Sequence, residues 1–287
     1  MAAKDKKVLY ISQEIYPYLP ESDLAHVARY LPEHIQNAGN DVRIFMPRYG
    51  LVNERRNQLH EVIRLSGINV IVDDYDHPLV IKVASIPSTR IQVYFIDNAD
   101  LFGRKSLFGP PSEGAPSDNA DRSIFFIRGV LEAIKSLHWI PDVIHCLGWF
   151  SALAPVYLKT AYKNDPYFER AKVLFSVDGN EEEGEIGEDL IKKLEFDKIT
   201  GDLLDPLQGE VTPDALRRMA IHYSDGVILG QESVSPELIE YLRSEPDQKV
   251  LEYPGPAVDH AEAYVDFYRS FTAVSYTHLT LPTTERV

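Results

Sequence analysis

Lys7-Val8-Leu9-Tyr10-Ile11-Ser12, then the loop Gln13–Asp23, then Leu24, Val27, Ala28, Leu31 and Ile35 at helical spacing decide the fold. The first piece is a short apolar run bounded by charge and turn residues, as a strand buried on both faces of a parallel sheet should be. Asp41–Met46 reads as a second strand, so residues 7–46 form an opening βαβ unit. In such a unit the first loop brings backbone N–H groups to a phosphate at a helix N-terminus, and glycine permits the close approach. This loop contains no glycine and ends Pro20-Glu21-Ser22-Asp23. Pro32 inside the helical pattern predicts a kink or a restart. Asn37–Asn40, with Gly39, reads as the stop.

Outward from that unit, strands and helices alternate, which predicts an α/β fold: a Rossmann-like, mostly parallel sheet with helices on both faces. Segments 61–72, 79–86 and 90–96 read as a β-hairpin followed by a return to the main sheet. Residues 103–117 hold three glycines and three prolines and read as a long surface loop. Helices are expected at 119–137, 150–161, 189–196, 213–223 and 258–271, and strands at 142–146, 172–177 and 226–229. Ser235-Pro236-Glu237 is a helix start with a serine cap. No repeat or linker divides the chain, so one domain is expected over 6–272. The tail 275–287, with Ser275-Tyr276-Thr277-His278-Leu279, reads like a translated sequencing-adapter peptide and is set aside.

Bulk properties narrow the function. The 287 residues are 44% hydrophobic and 25% charged, ordinary for a globular protein. The net charge of −15, from 29 basic and 44 acidic residues, argues against nucleic acid or an anionic membrane as partner. A single cysteine, Cys146, leaves no intrachain disulfide and no cysteine-rich metal site. No apolar run reaches the ~18 residues of a membrane span. The start lacks the apolar core of a signal peptide, so a cytoplasmic location is expected. No cofactor or metal motif is visible: neither Gly-x-Gly-x-x-Gly, nor a P-loop, nor His-Glu-x-x-His.

Several segments in order resemble the N-terminal domain of the glycogen/starch synthase family, retaining GT-B glycosyltransferases that use ADP-glucose. They are Glu14-Ile15-Tyr16-Pro17, Leu24-Ala25-His26-Val27, Val42 through Gly50 with its Pro47-Arg48-Tyr49-Gly50, Val93-Tyr94-Phe95-Ile96-Asp97 and Leu107-Phe108-Gly109. Asp118-Asn119-Ala120-Asp121-Arg122, Asp142-Val143-Ile144-His145 with Trp149, Tyr223-Ser224-Asp225-Gly226-Val227 and Ser235-Pro236 continue the series to about residue 255. The resemblance implies glucosyl transfer from ADP-glucose to α-1,4-glucan. Short stand-alone versions of this N-terminal domain occur in some bacteria.

The departures bear on activity. The family's Lys-x-Gly-Gly-Leu loop, which contacts the nucleotide-sugar, falls on Pro20, Glu21, Ser22, Asp23 and Leu24. Carboxylates there oppose a diphosphate by ~1 kcal/mol per exposed charge pair at 4 Å, more where water is excluded. The family's His-x-His-Asp-Trp-His falls on His145 through Phe150, so its last histidine is Phe150. Its following His-Asn falls near Asp178-Gly179. No counterpart of the family's donor-binding C-terminal domain is read here. The resemblance therefore implies a degenerate or incomplete catalyst, a pseudoenzyme when alone. Two alternatives are a non-catalytic module binding α-glucan or a partner, and the acceptor half of a split enzyme completed by a separate donor-binding chain. α-Glucan and ADP-glucose are the small-molecule partners the resemblance implies.

Candidate binding residues are Glu14, Tyr16, Tyr18, Glu21, Asp23, Tyr94, Asn119, Arg122, His145 and Trp149. Tyr16, Tyr18, Tyr94 and Phe95 are read at strand exits, where such sheets bind ligands, as a sugar platform. Trp149 is read as a stacking ring or as core. His145 is read first as a satisfied histidine, and Cys146 as a small buried apolar residue. Glu21 and Asp23 form an acid/base pair or, more simply, a loop and helix-cap pair. Glu181-Glu182-Glu183 and Glu185 read as a solvated face, without the spacing of a Ca²⁺ loop.

Overall fold

The computed structural model describes residues 6–246 and 248–272; the tail 275–287 lies outside them. In chain order the elements are β1 (Lys7–Ser12), α1 (Asp23–Asn37), β2 (Asp41–Pro47), β3 (His60–Glu61), β4 (Ile68–Val72), β5 (Tyr75–Ser85), β6 (Gln92–Asp97), α2 (Ala99–Phe102) and α3 (Asn119–Ser136). Then follow β7 (Val143–Leu147), α4 (Leu153–Lys159), β8 (Lys172–Val177), α5 (Leu190–Phe196), α6 (Pro213–Tyr223), β9 (Gly226–Leu229), α7 (Pro236–Ser244), β10 (Lys249–Leu251) and α8 (Ala257–Thr272).

They form a 10-stranded sheet in the order β10-β9-β8-β7-β1-β2-β6-β5-β3, with β4 pairing β5. From β10 to β6 neighbours are parallel, and β5 turns antiparallel against β6, β3 and β4. The apolar run of β1 earns the central place: Val8–Ser12 are buried, and Tyr10 lies opposite Ile44 on β2 and His145 on β7. After β1 the chain winds outward through β2 and β6, then returns across to β7. The winding direction therefore reverses between β1 and β7. Beyond their C-terminal ends lies the crevice in which open α/β sheets take ligands.

The hairpin expected from 61–86 is β4–β5, and β6 returns to the main sheet. α1 starts where Ser22 accepts a bond from Ala25 N at 2.9 Å. It runs through Pro32 without breaking. Proline removes one donor from the ladder. Here its ring sits on the buried face, with Ala28, Leu31 and Ile35 holding the turns on either side. The helix expected at 150–161 is split into a 3₁₀ turn, Trp149–Ser151, and α4. α8 packs beside α1. Its Tyr268 hydroxyl meets Tyr10 Oη at 3.0 Å and His145 Nδ1 at 2.7 Å.

Candidate functional site

Each wall of the crevice is the first turn after a strand. Gln13 and Glu14 follow β1, Gly148 and Trp149 follow β7, and Asp178 follows β8. Gly148 has φ 85°, and a Cβ there would lie 2.4 Å from the Gln13 side chain, so glycine is required. Gln13 Oε1 accepts from Phe150 N at 3.2 Å, while its buried Nε2 has no partner.

The glycine-free loop turns its amides inward. Tyr16 N donates to Ala25 O at 3.1 Å, and Tyr18 N and Leu19 N donate to Ile15 O at 3.0 and 3.2 Å. Ser22 caps α1 and donates to Glu14 Oε1 at 2.8 Å. These three amides are thus bonded within the loop and to α1, and the loop's own Glu14 lies against the α1 cap. Burial raises the Glu14 carboxyl, Ser22 lowers it and Glu182 adds to the rise.

A segment after β8 closes over the crevice. Gly179–Asp189, the strap, begins beside Asp178, a buried carboxylate whose Oδ2 has no hydrogen-bond partner. Burial pushes Asp178 from 3.8 to about 7, with Arg217 opposing and Glu14 and Asp23 adding to the rise. Glu181 turns inward with its side chain 1% exposed. Its Oε2 accepts from Trp149 N at 2.8 Å, and its Oε1 accepts from both Nε and Nη2 of Arg217 on α6. Arg217 also pairs with Glu183 at 2.6 Å and Asp214 at 2.5 Å. Burial pushes Glu181 up and Arg217 pulls it back. A guanidinium does not surrender its proton, so the forked contact keeps this pair charged. Burial pulls Arg217 down, yet Glu181 and Glu183 outweigh it and hold the guanidinium above its ordinary range.

Further along the strap, Glu182 O accepts from Trp149 Nε1 at 2.9 Å and Glu185 O from Asn119 Nδ2 at 2.7 Å. Ile186 O accepts from Ala120 N at 2.7 Å. Outside the strap lies an open groove of about 870 Å³, reaching Ser117 and the start of α6 at Val211–Pro213.

The structure gathers Glu14, Asp23, Asn119, Trp149 and Asp178 around this crevice and strap. Asp23, at the rim, accepts from Gln231 Nε2 at 3.1 Å, and Gln231 Oε1 accepts from Gly179 N at 3.3 Å. Trp149 is fully buried, wedged against Phe108 and Phe150 with ring centroids 4.8 and 5.4 Å away. Phe150 is also fully buried, within an aromatic cluster with Tyr49, Phe102 and Phe126. Arg122 points into the same cluster, donating to Leu101 O and Leu107 O at 2.7 Å, and burial lowers it to about 10.

Other candidates lie elsewhere. Tyr94 is not at a strand exit: it sits within β6, stacked on Phe45 at 4.9 Å, because the exit comes only after Asp97. Phe95 is fully buried beneath Tyr18, which packs on it edge-on at 5.0 Å. Tyr16 stacks on His26 at 5.2 Å on the outer face of α1, and exposed Glu21 reaches that histidine at 3.9 Å. His145 is buried in mid-strand with Nε2 2.7 Å from Ser176 Oγ, and burial lowers it to about 3. Cys146 is buried, and burial raises its thiol.

Sequence reasoning missed Gln13, Glu181 and Arg217. The run Glu181–Glu185 was expected to be a solvated face. Glu181 departs from it because a cation distant in sequence, Arg217, lies within reach of the strap. Among the described residues no group of three or more His, Cys, Asp or Glu is placed to hold a metal ion. None of their helices is long and apolar enough to cross a membrane.

The doubly wound sheet with its crevice at the reversal point defines a Rossmann-like α/β domain of the GT-B glycosyltransferase kind. The catalytic domain of Starch Synthase IV from Arabidopsis thaliana, solved bound to ADP and acarbose, shares this fold with a TM-score of 0.66 at 20% identity, over 88% of this chain and 52% of that one. Residues 7–252 match the family model described as the starch synthase catalytic domain, and the chain belongs to that family. The glycogen synthase of Chlorobium phaeovibrioides is 37% identical over 204 residues, 71% of this chain and 42% of that protein. The glycogen synthase of Chlorobaculum parvum is 33% identical over 248 residues, 86% of this chain and 49% of that protein. The chain thus spans about half the length of the curated relatives it matches.

Proposed function

We propose that this chain acts in α-glucan metabolism as a glycogen-synthase-type domain that engages neutral glucan at its strand-exit crevice and, by itself, transfers little or no glucose from ADP-glucose. Family membership supports the glucan half of this reading, as does the neighbour solved with ADP and acarbose. One observation carries the other half. The β1–α1 loop has no lysine or glycine, bonds the amides of Tyr16, Tyr18 and Leu19 to backbone of the loop or α1, and carries Glu14 beside the buried Asp178. Transfer from a sugar nucleotide requires fixed cations and amides aimed at the leaving diphosphate. Here the nearest buried guanidinium, Arg217, already carries three carboxylates.

Two measurements test the reading. Incubation with radiolabelled ADP-glucose and glycogen should leave no label in the polymer; sustained multiple turnover sinks the non-transferring half. Electrophoresis through gels containing glycogen should retard the protein; migration equal to that in plain gels sinks the glucan half.

A further inference from the structure

The strap holds the crevice the way a ligand would. Three donors on the walls, Trp149 N, Trp149 Nε1 and Asn119 Nδ2, each meet a strap oxygen at 2.7 to 2.9 Å: a Glu181 carboxylate oxygen and the Glu182 and Glu185 carbonyls. The indole of Trp149, which meets the strap at its Nε1 edge, is fully buried with the strap in place. An aromatic side chain flanked by donors to oxygen matches a sugar ring, which offers an apolar face and hydroxyl oxygens.

What keeps the strap down is one cation. Arg217, its side chain 4% exposed, gathers Glu181 and Glu183 from the strap and Asp214 from its own helix. Around it stand the carboxyl groups of Asp178, on which Arg217 also acts, and Glu14, with Glu182 acting on Glu14 and Asp23 on Asp178. The closed arrangement therefore gathers three carboxylates, Glu181, Glu183 and Asp214, on a single guanidinium. Removing one partner of a buried pair leaves the rest uncompensated.

We propose that residues 179–189 form a lid latched by Arg217, whose oxygens stand in for the hydroxyls of a neutral saccharide, and that lifting it admits such a saccharide onto Trp149. This rests on the glucan reading given above and adds its site and its control. The lid moves the donors from strap oxygens to sugar oxygens, so the hydrogen-bond count is conserved in both states.

The test uses the full chain as wild type, as R217Q, and as R170Q. R170Q removes a cation whose side chain is 90% exposed and so controls for net charge. Three readouts are taken: cleavage by a glutamate-specific endoprotease mapped within 181–188, acrylamide quenching of tryptophan emission, and a maltoheptaose titration. R217Q is expected to be cut in the strap at least ~10-fold faster than wild type. It should also be quenched more strongly and bind maltoheptaose several-fold more tightly, while R170Q matches wild type. A folded R217Q that is cut and quenched like wild type overturns the latch and leaves the glucan reading standing. A strap that opens with no gain in maltoheptaose binding overturns the saccharide assignment at Trp149, while retardation in glycogen gels decides the glucan reading separately. Should R217Q fail to fold by circular dichroism, E183Q replaces it, since that side chain is 46% exposed and Arg217 keeps Glu181 and Asp214. A smaller shift in the same directions is then expected, and wild-type behaviour in E183Q overturns the latch.

Discussion

Asp178 is a buried carboxyl group whose Oδ2 meets no donor among the described residues, and its titration is a statement about stability. Burial raises it from 3.8 to about 7 in the fold. Between those values the native state keeps a proton that the unfolded chain has released, so stability falls as pH rises, by ~1.4 kcal/mol per unit for one such group. The contribution is fully present below about 4 and is lost as pH rises through about 7. Urea unfolding of wild type and Asp178→Asn at pH 5, 6, 7 and 8 should show the gap between them changing most from 5 to 7 and levelling off by 8. A gap independent of pH over the whole range would mean that Asp178 is ionised in the fold. Legibility at this scale depends on range. Cys146 and His145 could be read as buried because each stands in an apolar strand. Glu181 could not, because what buries it is Arg217, and a charge run looks solvated until its distant cation is found.

At the scale of elements, short apolar strands and capped helices were legible because their causes are local. Ser22 capping α1 and Ser235 capping α7 are examples, the latter accepting from Leu238 N at 3.3 Å. Edge pieces such as β3, two exposed residues long, carry no local signal and exist only because β5 offers a partner. Pro32 misleads for the same reason in reverse: tertiary packing keeps α1 whole where the local rule expects a break. Ser22 does two jobs, closing the helix end and donating to Glu14. Ser22→Ala should cost ~1 kcal/mol from the cap, and more in total because Glu14 loses its donor. Ser22→Asn, itself a good cap, should recover part of that loss in thermal unfolding. Equal stability of the alanine variant and wild type would remove Ser22 as the anchor of this loop.

The whole molecule is held across its layers by polar contacts as well as apolar ones. Through Tyr268, α8 joins Tyr10 of β1 and His145 of β7, and His145 passes the contact to Ser176 of β8. Lowering of His145 to about 3 by burial keeps this network neutral at physiological pH. Tyr268→Phe should therefore lower the unfolding free energy by ~1–3 kcal/mol through donors and acceptors left without their partner. The denaturant slope should not change, because the buried surface is nearly the same. A midpoint equal to that of wild type would show that α8 is held by its apolar face alone. A central β1 was foreseeable from its apolar run. Its flanking by β7, however, depends on pairing across a long stretch of chain that no local pattern encodes.

That placement has a consequence for how the chain is made. β1 leaves the ribosome before β2 and pairs with it soon after, yet its other edge waits for β7, which begins only at Val143. Until then Val8–Ile11 present an open, apolar parallel edge to every other nascent copy, the kind of surface through which chains stick together. The −15 net charge gives those copies a mutual repulsion during that interval. That acidity thus serves the unfinished molecule, by keeping half-built sheets apart until the centre is sealed.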